Sequence, residues 1–189
     1  MFNIDDIIRH YETVIRSSRQ FNSARPVTDV SLLYPPFRGK LQSSIRDFQA
    51  LHPNIIVSIG ETYRSRQLQQ TYYQAKSSRT LKGTHHLGLA ADVNVNSKFF
   101  PALRKIFVKN GLYILGNWDL GHVQFIPVSL QEKIWRSIDS TVPKLSNKSF
   151  VDRGQDTERS AISGLAVILL VGGGFGILYS LLDDDEEYE

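Results

Sequence analysis

The sequence predicts an α+β domain followed by a single transmembrane helix. Segments with apolar residues at helical spacing alternate with short segments rich in β-branched residues, a pattern typical of helices packed on a small sheet. A run of 22 uncharged residues, 161–182, is long enough as a helix to cross the ~30 Å hydrocarbon core of a bilayer. The 189-residue chain therefore offers one domain of ordinary size and an additional segment.

Amphipathic spacing predicts the helices. They cover residues 4–15, 40–51, 67–75, 98–110 and 129–138. In the first helix, Asn3 is suited to cap the amino end, and Asp5 and Asp6 lie where the helix dipole favours acids. Two roles stay open for this helix, namely packing on the domain and contact with a partner or a membrane surface.

Four segments with β-branched or aromatic residues are predicted as strands. They cover residues 55–60, 87–95, 112–115 and 122–126. The second strand carries Asp92, and the small residues Gly88, Ala90 and Ala91 let its backbone bend and pack closely.

Charge and cysteine content limit the partners and the chemistry. The net charge is +3, and because six acids lie in the tail 183–189, residues 1–160 carry 22 bases and 13 acids, or +9. A basic domain suits an anionic cell wall or an anionic lipid surface. No basic stripe interleaved with aromatic residues is present, so no nucleic-acid partner is expected. The absence of cysteine excludes disulfides and thiolate metal sites.

Two separated segments carry residues suited to hydrolytic chemistry. His85, Asp92 and His122 offer two imidazoles and a carboxylate, the ligand types that Zn²⁺ takes when it keeps one position open for water. Asp119 lies three residues before His122 and is a candidate general base.

The spacing His-x-x-Gly-x-Ala-x-Asp, followed by Asp-x-x-His before an aromatic strand, resembles the zinc peptidases of the D-alanyl-D-alanine carboxypeptidase and L-alanyl-D-glutamate endopeptidase group. Phage endolysins of that group are the closest in pattern. The resemblance covers about residues 35–138. It implies a DD-peptidase/Hedgehog-like fold with a small antiparallel sheet and flanking helices. It also implies Zn²⁺ bound by His85, Asp92 and His122, with Asp119 as the base.

A third element of that group, Tyr-Arg-Ser-x-x-x-Gln, is matched by residues 63–69 and implies a substrate-binding role for Arg64, with Tyr63 and Gln69 beside it. A guanidinium can hold the carboxylates of a peptidoglycan stem peptide, although a packing role for Arg64 is the alternative. Three roles stay open for His86, namely support of a metal ligand, contact with the substrate and a merely structural role. Gly83 departs from the group, which usually has Ser there, and this weakens an outer hydrogen bond.

The carboxyl end predicts a membrane location. Residues 143–160 are a polar linker, 161–182 a glycine-rich transmembrane helix whose small-residue face suits a membrane-protein partner, and 183–189 an acidic tail. Bases flank the amino side of the span, so the positive-inside rule places residues 1–142 on the cytoplasmic face. Peptidoglycan lies outside that membrane, so the predicted topology separates the domain from its predicted substrate. A phage protein in a virion membrane or in the host inner membrane would reconcile the topology with the substrate.

These observations predict a domain organisation and a function. An amino-terminal helix and connection (1–30) precede a zinc peptidase domain (31–142), the linker, the span and the tail. The predicted function is a membrane-anchored zinc peptidase that cleaves peptidoglycan stem peptides at an L-Ala-D-Glu or D-Ala-D-Ala bond, encoded by a phage for wall penetration or host lysis. The alternative is a membrane-anchored structural or wall-binding virion protein with a peptidase-like domain.

Overall fold

A computed structural model describes residues 2–141, which form an α+β domain built on a four-stranded antiparallel sheet with strand order β1-β2-β4-β3. The strands are β1 (Ser58–Ile59), β2 (Ala90–Asn94), β3 (Tyr113–Ile114) and β4 (His122–Gln124). The helices are α1 (Ile4–His10), α2 (Pro35–Leu51), α3 (Arg66–Gln74), α4 (Phe100–Lys109) and α5 (Val128–Thr141). The predicted α+β class with a small antiparallel sheet is therefore confirmed.

Strand β2 lies in the middle of the sheet and brings distant parts of the sequence together. It pairs with β1 on one side, where Val93 faces Ile59, and with β4 on the other, where Asp92 faces His122. The second pairing places a candidate carboxylate ligand directly beside a candidate imidazole ligand.

The amino-terminal helix packs on the domain. The Asn3 side chain accepts hydrogen bonds from the backbone N–H groups of Asp5 and Asp6, so the predicted cap is confirmed. Helix α1 continues as a π-helical turn, Tyr11–Ile15, and its apolar face joins the core through Ile7, Ile8, Tyr11 and Ile15. The structure therefore supports the packing role among the two alternatives for this segment.

Two predicted elements differ in extent from the structure. The strand predicted at 55–60 is limited to Ser58–Ile59, which pair with Asn94 and Val93 of β2, whereas Ile56 before them is 81% exposed. Helix α2 begins at Pro35 rather than at residue 40, since proline is well tolerated in a first helical turn. Leu51 ends this helix and is 69% exposed.

The predicted membrane location needs correction. Among residues 2–141, no helix is both long and apolar enough to span a membrane. This finding contradicts the predicted single-pass location, and the lipid and membrane-protein partners predicted with it are unsupported. The predicted linker, span and tail, residues 143–189, lie outside the described residues.

Gly88 forms a close turn between the first two candidate ligands. Its φ of 63° is in the left-handed region, where it ends the 3₁₀ turn Thr84–Leu87. Its carbonyl accepts a hydrogen bond of 2.9 Å from the Tyr34 backbone N–H. A Cβ at this position would lie 2.1 Å from the carbonyl oxygen of Leu32, so the turn has room only for glycine.

Replacing Gly88 by alanine is therefore expected to destabilise the domain strongly. Left-handed backbone and steric overlap together are expected to lower the free energy of unfolding by about 3 kcal/mol or more. Urea denaturation of the variant and the parent measures this difference. Gly39 is the matched control, because it lies in α2 and a methyl group added there would have no atom within 4 Å. Gly39→Ala should stabilise by about 1 kcal/mol. Equal stabilities of the two variants would contradict this account of Gly88.

Candidate metal centre

Three side chains converge at one end of the β2–β4 pair. His85 lies in the 3₁₀ turn Thr84–Leu87, Asp92 lies on β2, and His122 begins β4. The His85 Nε2 atom lies 3.3 Å from His122 Nδ1, and Asp92 Oδ1 lies 3.2 Å from each of these two nitrogens. The three atoms form a nearly equilateral triangle.

The dimensions of this triangle suit a tetrahedral metal ion. Metal–ligand bonds of about 2.0 to 2.1 Å hold neighbouring ligand atoms of a tetrahedron about 3.3 to 3.4 Å apart. Both imidazoles are buried, whereas the Asp92 side chain is 34% exposed, so the group can be reached from solvent. The predicted ligands are thus brought together in a group that could hold a metal ion.

The charges within the triangle stabilise each other. Burial opposes ionisation of Asp92, but the His85 and His122 imidazoles outweigh it and hold the pKa of the carboxyl well below its usual value. Burial also opposes protonation of His122, but Asp92 and Asp119 raise the pKa of its imidazole. Both shifts show that the two carboxylates favour positive charge at this place, and a metal ion bound there would compete with protons for the imidazoles.

Gln124 orients His122 by contacting the ring nitrogen that is not part of the triangle. The His122 Nε2 atom lies 3.1 Å from Gln124 Oε1, which also accepts a 3.2 Å hydrogen bond from the Thr84 hydroxyl. The Gln124 amide nitrogen donates in turn to the Ile126 carbonyl, at 2.6 Å, and this fixes which way the amide points. An acceptor at Nε2 favours the tautomer whose Nδ1 lone pair is free for a metal.

The role of Gln124 was not predicted, although the strand pattern carries a signal for it. Gln124 lies two residues after His122 on a strand, and alternate residues of a strand share a face. His85 has no such partner for its second ring nitrogen. Its Nδ1 atom is buried and has no hydrogen-bond partner among the described residues. Gly83, predicted to weaken an outer hydrogen bond, lies two residues away and has no side chain to offer.

Arg64 contacts Asp92 through the carboxylate oxygen that is not part of the triangle. Its Nη2 atom lies 3.7 Å from Asp92 Oδ2. The guanidinium donates to Glu61 through Nε at 2.8 Å and through Nη2, and to the Gln69 side-chain oxygen through Nη1 at 3.0 Å. It also lies over the Tyr72 ring. Two carboxylates within the protein therefore balance the charge of Arg64.

The other predicted substrate residues lie in the protein interior. Tyr63 is 2% exposed, and its hydroxyl donates to the Phe21 carbonyl at 2.7 Å. Gln69 is 1% exposed and donates to Ser78 and Thr80. These contacts hold both side chains in the interior, where Gln69 also accepts a hydrogen bond from Arg64.

His86 is likewise enclosed. It is 2% exposed, its ring packs edge-on against Trp135, and its nitrogens face the carbonyls of Arg64 and Leu81. Burial lowers the pKa of this imidazole to about 4, so the ring is neutral at pH 7. These contacts enclose the His86 ring in the interior of the domain.

Asp119 lies beside the triangle, in the loop between β3 and β4. Burial raises the pKa of its carboxyl, the His122 charge lowers it and the Asp92 charge raises it, so this carboxyl lies within the electrostatic field of the ligands. Arg104 of α4 holds the loop in place. This buried side chain donates to the backbone carbonyls of Leu115, Asp119 and Leu120. No motif or spacing in the chain indicates this role for Arg104.

Removing the Gln124 acceptor is expected to weaken metal binding. Gln124→Met keeps the length of the side chain but leaves His122 Nε2 without its partner, and the Zn²⁺ affinity should fall about 10-fold to 100-fold, as for other partners of metal ligands. Competition with a chelating dye measures the affinity. Gln49→Met, on the exposed face of α2, is the control and should bind Zn²⁺ as the parent does. Unchanged affinity in Gln124→Met would show that Gln124 does not orient His122.

Comparisons with known proteins add a structural likeness. No protein-family model matches the chain, and no curated protein matches it. Among solved structures, the chain is similar to the crystal structure of Serratia marcescens L-Ala D-Glu endopeptidase ChiX, with 22% sequence identity and a TM-score of 0.41. The match covers 60% of this chain and 98% of that chain. At this distance the likeness carries no functional conclusion, and the function has to be inferred from the residues of the site.

Proposed function

We propose that the chain is a zinc-dependent metallopeptidase that hydrolyses stem peptides of peptidoglycan. The observation that carries the proposal is the triangle of His85 Nε2, His122 Nδ1 and Asp92 Oδ1, whose 3.2–3.3 Å edges suit a tetrahedral ion, with the Asp119 carboxyl beside it. The substrate class rests on the sequence resemblance carried by residues 63–69, 85–92 and 119–122.

The donor set suits zinc. Two imidazole nitrogens and one carboxylate oxygen leave a fourth tetrahedral position open, which is the arrangement of hydrolytic zinc sites. When bound there, Zn²⁺ supplies a Lewis acid that lowers the pKa of water and polarises the scissile carbonyl.

The residues of the chain have distinct tasks in this proposal. Asp119 accepts the proton of the attacking water and passes it to the leaving amine. Arg104 keeps the Asp119 loop in place through its three carbonyl contacts. Gln124 holds the productive tautomer of His122. Arg64, paired with Glu61, supports Asp92 in its orientation.

Digestion of purified muropeptides by the full chain, followed by mass spectrometry, tests the proposal. Loss of a terminal D-Ala indicates carboxypeptidase activity, and release of L-Ala-linked fragments indicates cleavage before D-Glu. Binding of wall peptides without any cleavage would instead favour the alternative of a wall-binding protein with a peptidase-like domain.

Hydrolysis is expected to depend on the metal and on both imidazoles. A chelator should abolish cleavage and Zn²⁺ should restore it, because metal-free protein lacks the Lewis acid. His85→Ala and His122→Ala should each lower zinc content together with activity, since each removes one of three protein ligands. Elemental analysis and peptide cleavage measure the two quantities. Full zinc content in both variants would mean that the ligands are wrongly assigned.

Replacing the proposed base separates catalysis from metal binding. Asp119→Asn keeps the size of the side chain and removes the oxygen that accepts the proton. Turnover should fall roughly 10²-fold to 10⁴-fold, the usual contribution of a positioned acid or base, while zinc stoichiometry stays at the parental value. Turnover is measured at saturating Zn²⁺. Near-parental turnover combined with weakened zinc binding would instead assign Asp119 to orienting His122.

A further inference from the structure

An arginine lies on an exposed tryptophan beside the candidate centre. The guanidinium carbon of Arg79 is 4.1 Å from the centroid of the Trp118 ring, and Trp118 is 55% exposed. Arg79 belongs to loop 76–83, which leads into His85, and Trp118 directly precedes Asp119. The Arg79–Trp118 stack therefore links the two loops that deliver one ligand and the proposed base.

The charge of Arg79 is not balanced by the protein in the part of the chain that the structure describes. Arg64 is paired with Glu61 and Asp92. Lys82, in the same loop as Arg79, lies 3.5 Å from Glu132 and 3.7 Å from Asp139. For Arg79, no carboxylate lies within ion-pair distance among residues 2–141, and its guanidinium is available to an anion from outside.

The stack prepares Arg79 to bind a carboxylate. A guanidinium that lies over an aromatic ring keeps its N–H groups at its edge, where they can donate two parallel hydrogen bonds. The Trp118 ring lies against Gly116, where an added Cβ would be 2.8 Å from the ring atoms. Holding the side chain before the ligand arrives lowers the entropy cost of binding.

The two candidate bonds of the substrate have one chemical feature in common. In the L-Ala-D-Glu bond, the carbon attached to the scissile nitrogen carries the free α-carboxylate of D-Glu. In the D-Ala-D-Ala bond, the corresponding carbon carries the terminal carboxylate. Either substrate therefore presents a carboxylate on the leaving-group side, next to the amine to which Asp119 passes its proton.

We propose that the Arg79–Trp118 stack is the subsite that binds this carboxylate. The identity of the substrate rests on the proposed function, whereas the preference for a carboxylate rests on the stack itself. Arg79 thereby has the role of a specificity-determining residue, and Arg64 remains with Asp92.

Matched peptides test this subsite. One pair is L-Ala-D-Glu and L-Ala-D-isoglutamine, both with the γ-carboxyl blocked as an amide, and the other is acetyl-L-Lys-D-Ala-D-Ala and its terminal carboxamide. Binding to zinc-free full-length protein is followed by tryptophan fluorescence, since Trp118 is exposed and Trp135 is buried. In at least one pair, the parent should bind the carboxylate peptide more tightly. Arg79→Gln should weaken that binding about 10-fold to 100-fold and change the carboxamide binding by less than about threefold.

Two further variants serve as controls. Arg79→Lys keeps the charge without the planar fork and should give an intermediate affinity. Arg46→Gln removes an exposed arginine on α2 and should bind as the parent does. Equal binding of both members of each pair by the parent, or equal losses in Arg79→Gln, would overturn the subsite.

Cleavage assays on the same peptides with the zinc-loaded protein separate this inference from the proposed function. A carboxylate preference that depends on Arg79, without cleavage of any peptide, would refute the peptidase and leave the subsite standing. Cleavage of the carboxylate and carboxamide peptides at equal kcat/KM would refute the subsite and leave the peptidase standing.

Discussion

The candidate centre depends on the antiparallel pairing of β2 with β4. Asp92 faces His122 in this register, and the neighbouring pair of Ala91 with Val123 points into the core. Since successive side chains of a strand alternate between faces, a slip of one residue would turn the side chains of the slipped strand to the opposite faces and separate Asp92 from His122. Burial of Ala91, Val93 and Val123, each at most 1% exposed, therefore holds the ligands in place. The hydrophobic core and the metal geometry are two consequences of one register.

The loops around the sheet are ordered by buried charges. Arg104 is 8% exposed and is satisfied by three backbone carbonyls, so its burial is compatible with its charge only while the Asp119 loop keeps this shape. The buried Glu61–Arg64 ion pair likewise constrains the shape of the segment that precedes α3. Loss of one partner from such a pair leaves an uncompensated charge in a poorly solvated place, which makes these contacts strong constraints on shape. Residues for chemistry can then lie on loops that the rest of the domain holds still.

Local sequence patterns correctly predicted the structural features that depend only on residues near each other in the chain. The cap at Asn3, the helical face through Ile7 and Ile15, and the bend at Gly88 are set within a few positions of the chain, and the structure has all of them. The resemblance of the motifs to a known family also implied that His85, Asp92 and His122 converge, and they do. The length of β1 was not predicted, because strand extent depends on a partner more than thirty residues away. The tasks of Arg104 and Glu61 were missed for the same reason, since a charged residue in a sequence does not show whether tertiary contacts will bury it.

The charge balance of the site explains why an unpaired arginine matters there. A divalent cation would be balanced by the carboxylates of Asp92 and Asp119, and Glu61 with Arg64 contributes a neutral pair. A centre that is neutral overall offers little long-range attraction to a carboxylate substrate, since opposing charges at similar distances cancel. A cation outside this set would then add to the attraction. Arg79 is such a cation, and because Trp118 adjoins Asp119, the proposed subsite would attract a substrate carboxylate to the side of the site where Asp119 is proposed to pass a proton to the leaving amine.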